Sequence, residues 1–219
     1  MQERVSNSDM FDNLKNRKPR SIDEKDYRKF AVTVCLVERD GELQVLFEKR
    51  AGGLKRQPGE ICFPGGARES GESALENAVR ETREELLITD AQIHVIAQMD
   101  TLYTAYNTMV SVFLCELKDY QDTFSPDEVG EIFYVPLSYF IEVQPDVYTN
   151  TVKTIPPENF PYDLIPGGRD YHWYNVYKKI YFYNYAGDKI IWGLTAYIMH
   201  SVADILRYEA GYTGNNQFC

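Results

Sequence analysis

The chain has 219 residues, of which 44% are hydrophobic and 26% charged, and its formal net charge is −10. This size and composition predict one globular domain. The acidic balance excludes a general nucleic-acid binder, which would carry a basic patch, but it leaves room for a small anionic ligand bound by local basic residues. Since no apolar run approaches the ~18 residues that a membrane span needs, we expect no membrane association.

The beginning of the chain differs in character from the rest. Residues 1–29 are polar and charged, and we expect an N-terminal extension there, with Ser21 as a possible helix cap. They lack the apolar stretch of a signal peptide. Residues 30–219 are then expected to form the single domain. The four cysteines are scattered, without a C-x-x-C pair, which favours a reduced, cytoplasmic setting over a disulfide framework.

The first elements of the domain have clear local signals. The segments KFAVTVCLVE (29–38) and LQVLFEKR (43–50) are rich in β-branched and aromatic residues, and with Asp40-Gly41 between them they predict a hairpin. Residues 51–66 contain several glycines and prolines and predict a loop. Ser73-x-x-Glu76 then offers a capping box for a helix that runs to about residue 87.

Further strands are predicted after this helix. They cover residues 92–99, 109–117, about 177–183 and 189–193, with a loop followed by a short strand in 126–137. The apolar residues of LTAYIMHSVADIL (194–206) recur at helical spacing and predict a C-terminal helix. Several strands, few helices and a hairpin at the start favour an α+β or mixed-sheet sandwich over repeated βαβ units.

Carboxylates gather on one turn of the first predicted helix. Glu81, Glu84 and Glu85 have the i, i+3, i+4 spacing of a shared helix face. We expect them to face outward together, opposite a buried stripe made of Leu75, Ala78, Val79, Thr82 and Leu86. Such a group can hold Mg²⁺ or Mn²⁺, which prefer oxygen ligands, and Arg80 can reach Glu84. The alternative is a solvated acidic face.

These residues resemble the Nudix box, G-x5-E-x7-R-E-U-x-E-E-x-G-U, where U is bulky and apolar. The matching residues are Gly66, Glu72, Arg80, Glu81, Glu84, Glu85 and Ile88. The resemblance implies an α/β/α sandwich with a mixed β-sheet, in which a loop-helix-loop motif hydrolyses a nucleoside diphosphate linked to another moiety. It also implies that Glu81, Glu84 and Glu85 bind the metal with help from the Gly65 carbonyl. Arg80 orients these ligands, and Glu72 supports them.

Two positions depart from the box. Thr82 stands at an apolar position, and Leu87 stands where the family has glycine. Since glycine there permits a left-handed turn, Leu87 is expected to end the helix differently or to let it run on. Neither departure removes an expected metal ligand.

The segment before the box resembles the signature of coenzyme A (CoA) pyrophosphatases, L-L-T-x-R-(S/A)-x3-R-x3-G-x3-F-P-G-G. The matching residues are Leu46, Arg50, Ala51, Gly59, Phe63, Pro64, Gly65 and Gly66. Phe47 and Glu48 depart from it, and Lys55, followed by Arg56, replaces an arginine. The resemblance implies that Arg50, Lys55 and Arg56 receive the phosphates of CoA; the alternative is an ordinary solvated loop. Residues 190–199 also resemble a stretch near the end of that subfamily.

The expected reaction is in-line attack of water on the diphosphate, which gives phosphopantetheine and adenosine bisphosphate. Glu85 is one candidate general base; Glu128, in a loop before a strand, is another, with Glu131 as its rival. The expected partner is a small molecule, with no nucleic acid and no membrane, and the chain is a monomer or homodimer. The alternatives are a Nudix hydrolase of ADP-ribose or NADH and a nucleotide-sensing module that does not cleave its ligand.

An aromatic cluster lies at residues 171–174, Tyr-His-Trp-Tyr. It has two interpretations, contact with the adenine or pantetheine of a substrate and packing in the core or an interface. The second is favoured, because large aromatic side chains dominate the energetics of cores and interfaces.

Overall fold

The structure is a computed structural model that describes residues 24–212 and the single positions 12, 15 and 22. The predicted helix cap Ser21 and the cysteine at 219 lie outside the described residues. The helices of the described part are α1 (Ala74–Leu86), α2 (Leu137–Glu142) and α3 (Gly193–Tyr208). The strands are β1 (Arg28–Arg39), β2 (Glu42–Arg50), β3 (Ile61–Cys62), β4 (Gly65–Ala67), β5 (Ile93–Gln98), β6 (Leu102–Tyr103), β7 (Thr108–Leu117), β8 (Val129–Pro136), β9 (Asp146–Val152), β10 (Val176–Tyr185) and β11 (Lys189–Trp192).

The predicted hairpin is confirmed as β1 and β2. Asp40 and Gly41 both have positive φ angles, 53° and 79°, as a type I′ hairpin turn requires. β1 also pairs in parallel with β7, where Ala31 lies opposite Ser111. The main sheet is therefore mixed, as expected, and within the described residues it has eight strands.

Beyond the hairpin, β1 and β2 separate, and the following segment fills the gap between them. β3 pairs with β2, with Cys62 opposite Glu48. β4 pairs with β1, with Gly66 opposite Ala31. The prediction of a continuous loop over 51–66 is therefore wrong at its end. The strands there are too short to show the alternation of apolar and polar side chains by which a strand is recognised in a sequence.

Helices cover both faces of the main sheet. On one face α1 packs through Leu86 against a cluster that includes Cys35 and Leu46. On the other face α3 contributes Met199 and Val202 to the largest core cluster. This arrangement is the α/β/α sandwich that the sequence resemblance implies. Among the described residues, the structure contains no helix long and apolar enough to span a bilayer.

A smaller sheet packs against α3. In the described part of the chain it has three strands in the order β11-β10-β9, and Tyr183 and Ile191 are buried beside the helix. The strand predictions near 177–183 and 189–193 are confirmed. The sequence predicts neither β9, whose side chains are almost all exposed, nor the short helix α2.

The aromatic cluster at 171–174 lies in the segment between β9 and β10, outside the core clusters. Its rings contact one another and Phe160: the ring centroids of Tyr171 and Trp173 are 5.0 Å apart, and those of Phe160 and Trp173 are 5.5 Å apart. Tyr174 is 78% exposed. Packing in the core, one half of the favoured interpretation, is therefore wrong, because these residues pack locally within a surface segment; packing in an interface stays a prediction.

Candidate active site

Both ends of α1 are fixed by local bonds. The Ser73 side chain accepts the backbone N–H of Glu76 at 3.2 Å, and the Glu76 carboxylate accepts the backbone N–H of Ser73 at 2.7 Å, so the predicted capping box is confirmed. At the other end Leu87 has φ 54° and ψ 45°, and its N–H bonds to the Arg83 carbonyl. The helix thus ends in the left-handed turn that glycine would make. The expectation of a different ending is wrong, at a strain of about 1–2 kcal/mol for a residue with a side chain.

The carboxylates of α1 do not all face outward. Glu84 is exposed and Glu81 is partly buried, whereas Glu85 is only 4% exposed. The buried residues of α1 are Asn77, Ala78, Thr82, Glu85 and Leu86. The prediction of a common outward face is therefore wrong, because Glu85 lies three residues after Thr82 on the stripe that meets the sheet. Leu75, predicted to be buried, is 40% exposed.

Arg80 connects the more exposed carboxylates. Its guanidinium lies 2.7 Å from a carboxylate oxygen of Glu72, 2.8 Å from one of Glu81 and 3.1 Å from one of Glu84. The hydrogen bond to Arg80 lowers the pKa of Glu72 below its usual range. Arg80 and Glu72 thus lie where they can hold the helix carboxylates in a fixed arrangement.

Glu85 is tied to the loop that precedes the helix. Its Oε2 accepts the backbone N–H of Gly65 at 2.7 Å. Burial raises the pKa of Glu85 to about 8, the Gly65 N–H opposes this increase, and the charges of Glu81 and Glu128 add to it. The described contact of Gly65 with a carboxylate is therefore made by its N–H, and the role expected for its carbonyl stays a prediction.

The two glycines of the Gly65-Gly66 pair lie against different groups. A Cβ on Gly65 would lie 2.4 Å from the carbonyl oxygen of Ala31 in β1, and Gly65 has a φ of +150°, so the backbone requires glycine there. A Cβ on Gly66 would lie 2.4 Å from Oε2 of Glu81. A side chain at Gly66 would therefore displace the Glu81 carboxylate from its present position.

The departure at Thr82 has a partner on the sheet. Thr82 Oγ1 donates to the Ala78 carbonyl at 2.7 Å and lies 2.6 Å from Oγ1 of Thr33 in β1. Both threonines are fully buried. A buried hydroxyl is tolerated when it is hydrogen-bonded, so this pair accommodates a threonine at a position where the box has an apolar residue.

β2 brings a further carboxylate to this face, at a position where the sequence only departs from the CoA signature. Glu48 is 2% exposed, and among the described residues its Oε1 has no hydrogen-bond partner. Burial raises the pKa of Glu48, and the charge of Glu85 raises it further. An acidic residue directly after the apolar run 45–47 was the available signal, because a charged residue is rarely buried without a purpose.

The expected substrate-binding residues lie at and beyond the end of β2. The positive charge of Arg50 opposes the increase that burial causes in the pKa of Glu48 and of Glu85, and its Nε donates to the Arg56 carbonyl at 3.4 Å. Lys55 and Arg56 are exposed on the loop between β2 and β3. The structure thus brings Arg50 into the electrostatic range of the carboxylates and leaves the other two at the surface.

The loop before β8 is bonded to both α1 and β2. The Ser125 N–H donates to the Glu85 carbonyl at 2.7 Å, and the Ala51 N–H donates to the Glu128 carbonyl at 2.9 Å. The Glu128 side chain is exposed. Its negative charge adds to the increase that burial causes in the pKa of Glu81, so Glu128 lies near the carboxylate group.

The rival residue Glu131 lies elsewhere. It forms an ion pair with Lys189, whose ammonium also lies 5.0 Å from the ring centroid of Phe133. Phe133 belongs to the core cluster on the α3 side of the sheet. Glu131 therefore points away from α1.

Comparisons with known proteins agree with this geometry. Residues 27–155 match the NUDIX domain. The chain belongs to the Nudix family. Peroxisomal coenzyme A diphosphatase NUDT7 of Mus musculus is 37% identical over 122 residues, which are 55% of this chain and 51% of that protein. Peroxisomal coenzyme A diphosphatase ndx-8 of Caenorhabditis elegans is 33% identical over 119 residues, or 51% and 50% of the two chains.

The chain spans about half the length of the curated relatives it matches. Among solved structures, a C. elegans Ap4A hydrolase is 25% identical with a TM-score of 0.45, over 52% of this chain and 84% of that one. The predicted membership of the Nudix family and the predicted similarity to CoA pyrophosphatases are both confirmed.

The Nudix box of this chain has the chemistry of a hard-cation site. Among the described residues, no three Asp, Glu, His or Cys side chains are arranged to coordinate a metal ion. Glu84 instead bonds to Arg80, and Glu85 bonds to Gly65. The residues nevertheless fit a divalent cation. The available donors are carboxylate oxygens, Gly66 leaves space for the Glu81 carboxylate, and the unpartnered buried oxygen of Glu48 faces the same side of the sheet.

Proposed function

We propose that this chain is a metal-dependent Nudix hydrolase that cleaves the diphosphate bond of CoA or its derivatives into phosphopantetheine and adenosine bisphosphate. The observation that carries this proposal is the bond from the Gly65 N–H, in the segment that resembles the CoA signature, to Glu85 of the box at 2.7 Å; the charge of Arg50 also acts on Glu85. The segment that resembles the CoA signature and the carboxylates of α1 thus meet in one place. Support also comes from two relatives that are named coenzyme A diphosphatases.

In this proposal Glu81, Glu84 and Glu85 hold Mg²⁺ or Mn²⁺. A divalent cation at this position neutralises phosphate charge and lowers the pKa of water. Arg80 keeps the Glu81 and Glu84 carboxylates on one side of the helix through its ion pairs. The Gly65 N–H holds Glu85 against the loop, so the ligand set has one exposed member, Glu84, and one that is buried, Glu85.

We assign the general base to Glu128, with Glu85 as the other candidate. Glu128 has an exposed carboxylate that can meet a substrate, and its loop is bonded to the end of α1 and the end of β2. Glu131 is a poor candidate because its carboxylate is paired with Lys189 on the opposite face. A Glu128→Gln variant that retains full turnover would move the assignment to Glu85.

Arg50, Lys55 and Arg56 are the proposed phosphate-binding residues. We expect Arg50→Ala to raise the KM for CoA about tenfold or more, because a hydrogen bond between charged groups contributes about 1.5–3 kcal/mol. The increase for ADP-ribose is expected to be smaller, since that substrate lacks the ribose phosphate of CoA. Lys49→Ala is the matched control, because Lys49 is exposed and precedes Arg50 on the alternate face of β2. Equal increases for both substrates would contradict a role in reading the extra phosphate.

The runner-up function is hydrolysis of ADP-ribose or NADH. The substitution at Lys55 favours it, because lysine lacks the bidentate fork of arginine for phosphate. A non-catalytic sensor is disfavoured, because the carboxylates of the box are all present.

A substrate panel separates these functions. The purified protein is incubated with Mg²⁺ or Mn²⁺ and with CoA, acyl-CoAs, ADP-ribose, NADH or nucleoside triphosphates, and the products are resolved by chromatography. Fastest release of phosphopantetheine from CoA or an acyl-CoA is the expected result. Faster cleavage of another substrate overturns the CoA assignment and retains the metal site, whereas binding without cleavage identifies a sensor.

We further propose a cytoplasmic location and a monomeric or homodimeric state. Among the described residues Cys35, Cys62 and Cys115 are free thiols, which agrees with a reducing compartment. Two relatives carry the word peroxisomal in their names, so imaging of the tagged protein must distinguish the cytoplasm from the peroxisome. Light scattering measures the oligomeric state.

A further inference from the structure

We propose that Glu48 supplies a further carboxylate to the metal site, contributed by the sheet and not by the Nudix box. The CoA pyrophosphatase signature has threonine at this position, so the added ligand is a property of this chain. The inference rests on the proposed metal site at Glu81, Glu84 and Glu85. It extends that site from one helix to the strand beneath it.

The alternation of β2 determines the direction of the Glu48 side chain. Val45 and Phe47 belong to the core cluster on the α3 side of the sheet, whereas Leu46 packs in the cluster around Leu86 of α1. Since successive side chains of a strand point to opposite faces, Glu48 points to the α1 side. Its neighbour across the sheet, Ile132 of β8, also packs against the α1 cluster.

Glu85 reaches the same place from the helix. It lies on the buried stripe of α1, one residue before Leu86, and the two carboxylates interact strongly enough that the charge of Glu85 raises the pKa of Glu48, after burial. Two buried carboxylates on facing elements repel each other, so either one of them holds a proton or a positive charge lies between them.

The protein groups near Glu48 meet this requirement only in part. Its Oε1 has no hydrogen-bond partner among the described residues. Arg50 is the nearby cation; its charge opposes the increase in the pKa of Glu48, while its Nε donates to the Arg56 carbonyl. A charged carboxylate that is buried with an unpartnered oxygen costs several kcal/mol. A divalent cation held by Glu48 and Glu85 would supply both the positive charge and a partner for Oε1.

Binding of Mn²⁺ to the full chain without substrate tests the proposal. Free Mn²⁺ is followed by electron paramagnetic resonance in the chelator-treated wild type and in the Glu48→Gln and Glu48→Thr variants. Gln preserves the shape of the side chain, and Thr restores the residue of the signature. We expect both variants to bind Mn²⁺ about tenfold or more weakly, the range seen when a group that supports a metal site is removed.

Thermal unfolding gives a second readout that a purely structural role would not produce. Without metal, Glu48→Thr is expected to unfold at the same or a higher temperature than the wild type, because a buried carboxyl group with an unpartnered oxygen has been removed. With saturating Mn²⁺, the increase in unfolding temperature is expected to be smaller in the variant than in the wild type. A variant that is less stable without metal and gains as much from Mn²⁺ would identify Glu48 as a structural residue and overturn the proposal.

Two further variants separate this inference from the proposed function. Glu84→Gln changes a proposed ligand of the box, and Glu131→Gln removes a carboxylate on the opposite face. One outcome is that Glu84→Gln weakens Mn²⁺ binding while both Glu48 variants bind Mn²⁺ within about twofold of the wild type, or more tightly. A change of about twofold is smaller than the loss expected for a group that supports a metal site, so in this case only the role of Glu48 is wrong. If the wild type shows no saturable Mn²⁺ binding, the metal site and the role of Glu48 both fail.

Discussion

The two faces of the main sheet bury different kinds of side chains. The face toward α3 is aliphatic and aromatic: Phe47 is fully buried, with ring centroids of Phe63, Phe133 and Phe140 within 5.0–5.7 Å. The face toward α1 carries polar groups in its interior. The buried polar side chains of the described residues are Thr33, Glu48, Asn77, Thr82, Glu85 and Ser111, and each lies on α1 or on the sheet face beneath it.

The residues that stabilise the fold and those that carry charge are therefore separated across one layer of strands. β2 contributes to both faces through alternate residues, with Phe47 on one side and Glu48 on the other. Substitutions on the α3 side should therefore change the free energy of unfolding with little effect on turnover by the folded protein. Substitutions of the charged groups on the α1 side should do the reverse.

The largest expected effect is a loss of activity on the α1 side. We expect Glu84→Gln to lower kcat about 10³-fold or more, a loss of about 4 kcal/mol of transition-state stabilisation, because a proposed ligand loses its charge. Glu84 is exposed, so the unfolding temperature should stay within about 2 °C, since surface substitutions usually change stability by less than about 0.5 kcal/mol. Steady-state kinetics and calorimetry measure the two quantities. Glu69→Gln, an exposed carboxylate before the helix, is the control, and unchanged turnover in Glu84→Gln would remove the argument for the metal site.

The counterpart on the α3 side is a loss of stability. Phe47→Ala should lower the free energy of unfolding by about 3–5 kcal/mol, because it leaves a cavity in a fully buried aromatic cluster. Urea denaturation measures this change, and activity per folded molecule should remain near that of the wild type. Tyr177→Ala, at an exposed position, should change stability by less than about 0.5 kcal/mol. A loss of turnover comparable to that of Glu84→Gln would mean that the two faces are not functionally separate.

The next effect is a pH dependence of stability in the metal-free protein. Burial raises the pKa of Glu85 from 4.5 to about 8, so between these values the folded chain binds more protons than the unfolded chain. Stability should therefore fall as pH rises from about 4.5 to about 8, by an amount on the order of a few kcal/mol. Unfolding with a chelator present measures it. Glu85→Gln should reduce this slope, and the part that remains comes from Glu48, whose pKa burial also raises. Glu131→Gln should preserve the slope; the same slope in both variants would contradict the assignment to Glu85.

The smallest effect concerns the end of α1. Leu87→Gly should stabilise the protein by up to about 1 kcal/mol, because glycine adopts the left-handed conformation without strain. Leu75→Gly, in the helix and also partly exposed, should destabilise it by about 1 kcal/mol. Equal destabilisation by both changes would mean that the contacts of the Leu87 side chain outweigh the backbone strain.

Local signals explain what the sequence predicts correctly. The Asp40-Gly41 turn and the Ser73 capping box depend on neighbours in the chain, and both are found where the sequence indicates. The spacing predicts an exposed Glu85, and this is wrong, because a residue on the edge of a helical stripe is buried if the sheet extends beneath it. That extension depends on the separation of β1 and β2, a tertiary feature with no local signal.

The same reason applies to the candidate site. The motif positions on α1 identify the residues around Arg80, because they lie within one helix and the turn before it. Glu48 is distant in the chain and meets Glu85 only through the packing of α1 on β2. Similarly, β9 is recognised by its pairing with β10 and not by an alternating pattern of its own.

The separation of β1 and β2 has a consequence for how this fold can change during evolution. The loop that carries Lys55 and Arg56 is anchored at one end by β2 and returns to the sheet through β3 and β4. Lengthening a loop adds little to the entropic cost of closing it. Residues 52–58 can therefore be replaced as a unit while Gly65 continues to bond to Glu85. Chimeras that carry the corresponding loop of another Nudix protein should therefore fold, and new substrates can be acquired without rebuilding the rest of the centre.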